Sequence, residues 1–422
     1  MNVSVDVGRL NDNATYRLNG SEAAAADGLQ TLQRIVSALN LFALPGIIML
    51  GTVGNLLSFF VFIGTHLRLQ SSYVYLAFLN VADTLFLLCL LVAWLGRINV
   101  RLMDRVGWCQ LTVYLSYASS FLSVWIVVGF TVERYIVVFH PLKKDVWCTR
   151  RRAYMVVLCL AATSLCLYSF STWTNGVVAL ADGSHVCAPR RRFMTLMRVA
   201  TGIDTLITLV VPSVVIIGFN VSMSVKIREI AYKRKHQLTA GGDKTCCMKY
   251  GGGDGGGGGV GVGGGGGGWA NGRESYRLEP GFLPSSRLSC SSFQLRRLIG
   301  GRHVSNDSIR RRFQLRTTRT LLTISSVFLV LNMPSHVLRV YAMLYYLSDA
   351  TYALPRHVSL CQHLVQMLYY INFAVNFFLY SACSRTFRGA LRRLYGRIDR
   401  KLRSGYARRP NFLSQKTREA GR

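Results

Sequence analysis

The stretch QLTVYLSYASSFLSVWIVVGFTVERY, residues 110–135, decides the fold. From Gln110 to Val132 it carries no Asp, Glu, Lys or Arg, and then Glu133 and Arg134 stand side by side at its end. A run of this length is what a helix needs to cross the hydrocarbon core, where no water can satisfy a broken backbone hydrogen bond. Working outward, six more runs qualify: Leu39–Gly64, Leu69–Gly96, a fourth within Ala153–Ala181, Val199–Val225, Thr320–Leu338 and Val358–Ser384. Asp83 is the only charge in the second, and Asp204 lies inside the fifth. Charged residues make up 16% of the 422-residue chain, against about 25% in soluble domains, and they cluster between the runs. A soluble core would have to bury seven helices that are apolar on every face. The pattern therefore predicts an all-α membrane protein, a seven-transmembrane helix bundle.

Lys and Arg concentrate on the cytoplasmic side of short loops. Lys143, Lys144, Arg150, Arg151 and Arg152 lie between runs three and four, and Arg385, Arg388, Arg392, Arg393, Arg397, Arg400, Lys401 and Arg403 follow run seven. Those ends are expected inside, at the plasma membrane, which places the N-terminus outside. Three glycosylation sequons, at Asn2, Asn13 and Asn19, agree with that side. The opening residues lack the basic start and short apolar core of a cleaved signal, so the first run is expected to act as its own insertion signal. The implied organisation is an extracellular, glycosylated tail over 1–38, a membrane core over 39–384 and a basic cytoplasmic tail over 385–422.

Cys109 opens run three and Cys187 lies in the loop before run five, so both face the oxidising side, where a disulfide persists. A bond between them is expected. Cys148, Cys246, Cys247 and Cys290 face the cytosol and are expected to stay reduced. Between runs five and six, residues 233–309 read as a disordered third intracellular loop, because 251–268 are nearly all Gly and have nothing to bury. No strand precedes that stretch and no Gly-Lys-Ser/Thr closes it, which argues against a phosphate cradle. Its flanks, KIREIAYKRKH and SIRRRFQLRTTRT, read as basic extensions of helices five and six, suited to anionic membrane lipid and an intracellular partner. Much of the +31 net charge is of this kind, so nucleic acid is not invoked.

Polar groups at bilayer depth are costly, and each is a functional candidate. Asn55, Asp83, Ser123, Asn372 and Asn376 fall at comparable depths on different runs. One reading is an interhelical hydrogen-bond network; another is a carboxylate-centred site for sodium, a hard cation that takes oxygen ligands. Apart from that ion no cofactor is expected.

GTVGN at 51–55, LAFLNVAD at 76–83, the Cys109/Cys187 pair, VERY at 132–135, Pro212 in VVPSVV, Pro334 in LNMPSH and NFFLY at 376–380 occur in this order on seven runs. In this the chain resembles the rhodopsin-like (class A) family of G-protein-coupled receptors, over about Leu39 to Tyr395, and in overall look invertebrate neuropeptide receptors. The resemblance implies a switch in which Arg134, paired with Glu133 in the closed bundle, is freed when the inner half of helix six swings outward about Pro334, with Tyr135, Asn376 and Tyr380 as further switch positions. It also implies a heterotrimeric G protein and arrestin as partners, and a short amphipathic eighth helix from Phe387, with Leu391 and Leu394 on its apolar side.

Several positions depart from the family pattern. Asn332 stands where the family usually has Trp before the helix-six proline, Phe377 where it has Pro after Asn376, Asn220 where helix five commonly has Tyr, and Ala161 near the depth of the usual helix-four Trp. No acidic residue flanks the inner end of helix six, only Arg310, Arg311, Arg312, Arg316 and Arg319, so Glu133 is expected to be the main partner of Arg134.

Run seven has no Lys for a retinal Schiff base, and no Asp lies near Ser116, Tyr117 and Ser120 to receive an amine. The outer face is instead basic, with Arg97, Arg101, Arg105, Arg190, Arg191, Arg192, Arg198 and Arg356 against Asp104, Asp182 and Asp349. Guanidinium groups suit carboxylate, sulfate or phosphate partners. The expected function is a receptor for an extracellular peptide of acidic character, bound by Trp94, Tyr117, Ser120, Arg192, Asp204, His336, Arg339, Gln362 and Gln366. Asp204 could equally be satisfied by Arg198 or Arg339. The alternatives are a receptor for an anionic lipid mediator or nucleotide, and, in another class, a transporter or channel, which would call for repeats or matched broken spans that are not evident. Enzyme activity is not expected, since no nucleophile-base or metal-ligand constellation is found.

Overall fold

The computed structural model describes residues 20–179, 183, 185–241, 317–342, 344, 345 and 355–407. Asn2, Asn13 and Asn19, the Gly-rich stretch, Cys246, Cys247, Cys290, Arg310, Arg311, Arg312, Arg316, Asp182 and Asp349 lie outside these. The chain divides into two units, Met1–Glu229 with Gln314–Arg422 and Ile230–Phe313; the described part of the second, 230–241, is helical.

Helix α1 runs from Gly20 to Ala38, through a π turn at Leu39–Ala43, and on through Leu44–Gly64. Helices α2 (Ser71–Leu95), α3 (Trp108–Phe139) and α4 (Arg150–Tyr168) follow. Helix α5 comprises Met194–Thr205, a π turn at Leu206–Val210, and Val211–Gly241. Then come α6 (Thr317–Ala342), α7 (Arg356–Ala374 and Asn376–Cys383, with a bend at Val375) and α8 (Arg385–Ala407). Six of these, α1 to α6, are long and apolar enough to cross a membrane. Helix α7 is bent and carries Gln362, His363, Gln366, Asn372 and Asn376, which lower its apolar content.

Helices α3, α5 and α6 outrun their uncharged runs at both ends and α1 does so at its start, because polar residues beyond the bilayer still favour helix once it is nucleated. Residues 20–38 are thus helical rather than a tail, and 233–241 continue α5 instead of opening a loop. Ala153–Ala181 splits differently: α4 stops at Tyr168, a one-turn helix covers Ser171–Thr174, and Asn175–Ala179 forms strand β1. Strand β1 pairs antiparallel with β2, His185–Pro189, with Val177 opposite Cys187.

Both π turns stand just before a proline, Pro45 in α1 and Pro212 in α5. A proline ring collides with the carbonyl four residues back, and the wider turn relieves the clash while the helix continues. Side chains occupy carbonyls near the second of these: Thr205 donates to the Thr201 carbonyl at 2.8 Å and Thr208 to that of Asp204 at 2.6 Å.

The burial pattern is inverted relative to a soluble bundle. Val214, Val221, Val225, Val330 and Val337 are exposed, while Asn55, Ser58, Asn80, Asp83 and Ser123 are buried. Lipid solvates the first group and the bundle interior the second. Close helix approach depends on two glycines of α1. A Cβ on Gly51 would lie 2.6 Å from the Ala374 Cβ, and one on Gly54 would lie 2.9 Å from that of Phe377. Gly54 therefore makes the room that Phe377 fills. Where α7 meets α8, Phe62, Tyr380 and Phe387 form one aromatic cluster, with ring centroids 5.2–5.5 Å apart.

Candidate functional site

One polar group closes the end of α3. Glu133 and Arg134 are buried, and their side chains form an ion pair. The same Glu133 oxygen accepts from Ser71 at 3.0 Å and Ser72 at 2.6 Å, both in the first turn of α2, and Arg134 also donates to Ser72. A buried ion pair depends on further hydrogen bonds to its remaining groups; here the two serines donate to the paired Glu133 oxygen, while the buried Nε of Arg134 has no partner among the described residues. The next residue, Tyr135, stacks on Phe139 and lies 4.6 Å from the ring of Phe219 in α5. Cys148 sits beneath, its thiol pointing at the Glu133 carbonyl; burial and then Glu133 push that thiol up to about 11, so it stays protonated.

Nearer the middle, Asp83 accepts from Ser123 of α3 at 2.6 Å and from Asn376 of α7 at 2.5 Å. Asn55 donates to the Phe373 carbonyl of α7 at 2.8 Å, next to the bend at Val375. Asn372 does not bond to Asp83; it lines a small void with Ser123, Asn376, Ile324 and Phe328. Both carboxylate oxygens of Asp83 thus have protein donors, the arrangement a hydrogen-bond network requires.

A third group gathers at the opposite end of the bundle from Glu133. Tyr117 of α3 stacks face to face on Tyr168 of α4, with centroids 5.5 Å apart. The Tyr168 hydroxyl donates to Asp204 of α5 at 2.6 Å, and Asp204 faces Arg339 of α6 at 3.7 Å. On the other flank the hydroxyls of Ser120 and Tyr369 are 2.6 Å apart, and His336 of α6 meets the Tyr369 ring edge-on. Five helices therefore contribute to one aromatic and polar cup. Tyr168 and Tyr369 are the members that reading the sequence missed; the signal was a tyrosine hydroxyl inside an apolar run, which must find a partner.

Three expected contributors stand apart from this cup. The indole N–H of Trp94 donates to the Asn40 carbonyl of α1 at 3.1 Å, and the ring packs among Leu44, Phe86 and Phe373. Arg192 lies over the ring of Phe193 in the turn before α5, exposed. Gln362 has no hydrogen-bond partner among the described residues; it and Gln366 stand on the outer turns of α7, partly buried. Above the cup, Cys187 of β2 is disulfide-bonded to Cys109 at the start of α3, and Met103 packs on the pair. Arg190 crosses Gly176 of β1, where a Cβ would lie 2.8 Å from its Nε.

The departures also have partners. Asn332 donates back to the Phe328 carbonyl at 2.7 Å, which satisfies a polar group where the helix nears Pro334. Asn220 of α5 and Ser325 of α6 exchange two hydrogen bonds, at 2.9 and 3.1 Å, tying those helices together.

A family model described as "7 transmembrane receptor (rhodopsin family)" matches residues 54–380, from the glycine before Asn55 to Tyr380. The chain belongs to this family. The rhodopsin-family receptor is thus an all-α, multi-pass membrane protein of a receptor family, not an enzyme. It is 30% identical over 184 residues to the thyrotropin-releasing hormone receptor of Mus musculus, covering 40% of this chain and 45% of that one. It is 30% identical over 135 residues to the FMRFamide peptide receptor frpr-18 of Caenorhabditis elegans, 29% and 30% of the two chains. With the probable G-protein coupled receptor 34 of Mus musculus it shares 28% identity over 141 residues, 33% and 36%. The receptor spans less than half the length of each of these relatives.

Proposed function

We propose that this receptor sits in the plasma membrane with seven spans and an extracellular N-terminus, binds a peptide in the cup, and activates a heterotrimeric G protein, with arrestin as a second cytoplasmic partner. The carrying observation is that the cup and the Glu133–Arg134 group lie at opposite ends of the same helix α3, and that α5 reaches both, through Asp204 at the cup and Phe219 against Tyr135. One relative is named as an FMRFamide peptide receptor and another as a hormone receptor, which supports the ligand class. As the seventh span, α7 packs on α1 and α2 through Phe373 and Tyr369, and its polar residues face Asp83 and Ser120 instead of lipid.

A ligand that prises Asp204 and Arg339 apart, or bridges them, acts on α5 and α6 at once. Movement of the inner half of α6 then has to part Asn220 from Ser325, and it exposes Arg134. A two-state element of this sort is shifted only by a ligand with different affinity for its two states. Because Asp204 already answers the charge of Arg339, an acidic residue of the peptide is met first at the rim, by the exposed Arg97, Arg105, Arg191 and Arg192. Sodium at Asp83 remains a proposal in which the ion takes one carboxylate oxygen and Ser123, displacing a hydrogen bond.

The test is a calcium and cyclic-nucleotide screen of cells expressing the receptor against a neuropeptide library. At least one peptide is expected to activate it, with Arg339→Ala lowering potency about tenfold or more, the effect of one charge-assisted contact. Activation by lipid mediators or nucleotides alone would overturn the peptide reading.

A further inference from the structure

Helix α8 is joined to the end of α1 by arginine. Arg397 donates to the carbonyl of Gly64, the last residue of α1, at 3.1 Å, and Leu394 packs against the same glycine. One turn earlier on α8 stands Arg393, while the short turn His66–Leu69 that follows α1 adds His66 and Arg68. All four side chains are exposed. Burial, and then Arg393 and Arg397, hold the His66 imidazole below its ordinary value, so its surroundings are electropositive.

Among the described residues no carboxylate answers this charge. Residues 64–70 contain none, and the single acidic residue of α8, Asp399, pairs with Arg403. Among the described residues, Arg68, Arg393 and Arg397 form no ion pair. The backbone bond from Arg397 fixes like charges near one another, which is unfavourable unless an anion joins them. Ile63, Leu69, Tyr395 and Ile398 are exposed around the seam, so the cationic group adjoins surface suited to acyl chains.

We propose that the seam between α1, the His66–Leu69 turn and α8 binds the multiply phosphorylated headgroup of an inner-leaflet lipid, a polyphosphoinositide. The inference rests on the reading that puts α8 on the cytoplasmic side. Guanidinium forks at Arg393 and Arg397 match phosphate oxygens in pairs, Arg68 and His66 supply further donors, and the adjoining apolar residues receive the lipid tails. A singly charged lipid would answer one cation and leave the others unmatched, which gives a basis for selectivity beyond the general attraction of basic segments to anionic membranes.

The experiment uses the full-length receptor in nanodiscs containing phosphatidylinositol bisphosphate or phosphatidylserine at matched surface charge, with bound lipid read by native mass spectrometry. Wild type is expected to prefer the bisphosphate about tenfold. R393Q/R397Q should lose that preference, while R385Q/R392Q, which removes the same charge elsewhere on α8, should keep it; the melting temperature of each variant separates lost binding from lost folding. Equal retention of the two lipids, or an unchanged preference in R393Q/R397Q, would overturn the proposal. So would equally tight binding of soluble inositol trisphosphate, because the site would then take a free anion. If instead α8 were reached by an impermeant label from outside intact cells, the orientation would be wrong, and the inner-leaflet assignment would fall with it.

Discussion

Glu133→Gln is expected to raise ligand-independent signalling about tenfold or more, and Arg134→Ala to abolish signalling while ligand still binds. The ion pair is buried, with Arg134 3% and Glu133 6% exposed, so removing one partner leaves a charge without compensation. Such a loss costs roughly 3–5 kcal/mol in a closed interior. It falls on the closed state alone if Arg134 leaves the pair on activation, and every 1.4 kcal/mol or so is about tenfold in the balance of states. Glutamine keeps an oxygen for Ser71 and Ser72, so the first turn of α2 stays anchored and the change isolates the charge. Nothing on α6 substitutes for Glu133: residues 317–342 contain no Asp or Glu, and Arg134 pairs with Glu133. Basal second-messenger output at matched surface expression reads the result. Unchanged basal output in the glutamine variant would mean that the pair does not hold the closed state.

Asp83→Ala is expected to destabilise the bundle, lowering the melting temperature of the purified receptor by several degrees. Two buried donors, the Ser123 hydroxyl and the Asn376 amide, lose their acceptor, at about 1–3 kcal/mol each. Asp83→Asn separates the two readings of this group. It keeps the shape, and a flip of Asn376 restores a hydrogen bond, so stability should change little; but it removes the negative charge a sodium ion needs. If sodium binds, melting in sodium chloride should exceed that in choline chloride for wild type, by the usual gain from a ligand that binds the folded state, and not for Asp83→Asn. Identical melting of wild type in the two salts would leave the hydrogen-bond network as the whole role of Asp83.

The apolar runs were legible because bilayer thickness imposes them. Their ends were less so: a helix stops where capping and packing end it, and neither is written in hydropathy. Gly20–Ala38 and residues 233–241 are helical though polar, and the run ending at Ala181 turned into a hairpin. The bend of α7 at Val375 was also hidden, since no proline marks it. In the sites, the pairing of Glu133 with Arg134 and the grouping of Asp83 with Ser123 and Asn376 could be read as charges and polar groups in oil, but the serines Ser71 and Ser72 that bind Glu133 could not. Asn220 and Ser325 lie 105 residues apart, and only the packing of α5 on α6 brings them together. Tyr168 and Tyr369 read as ordinary aromatics until Asp204 and Ser120 were found beside them. Arg339 faces Asp204 and Arg192 lies over Phe193, so two arginines assigned to an acidic ligand also have neighbours in the protein itself, which a count of charges does not show.

Because α1 to α6 are long and apolar enough to cross a membrane while α7 is bent and more polar, the number of crossings is the point on which everything else turns. The direct measurement is epitope labelling of intact and permeabilised cells, with one tag before Gly20 and another after Ala407. The N-terminal tag should be labelled in intact cells and the C-terminal tag only after permeabilisation. Labelling of both tags from outside would mean an even number of crossings, which would put α8 and the Glu133–Arg134 pair on inconsistent sides and contradict the receptor mechanism.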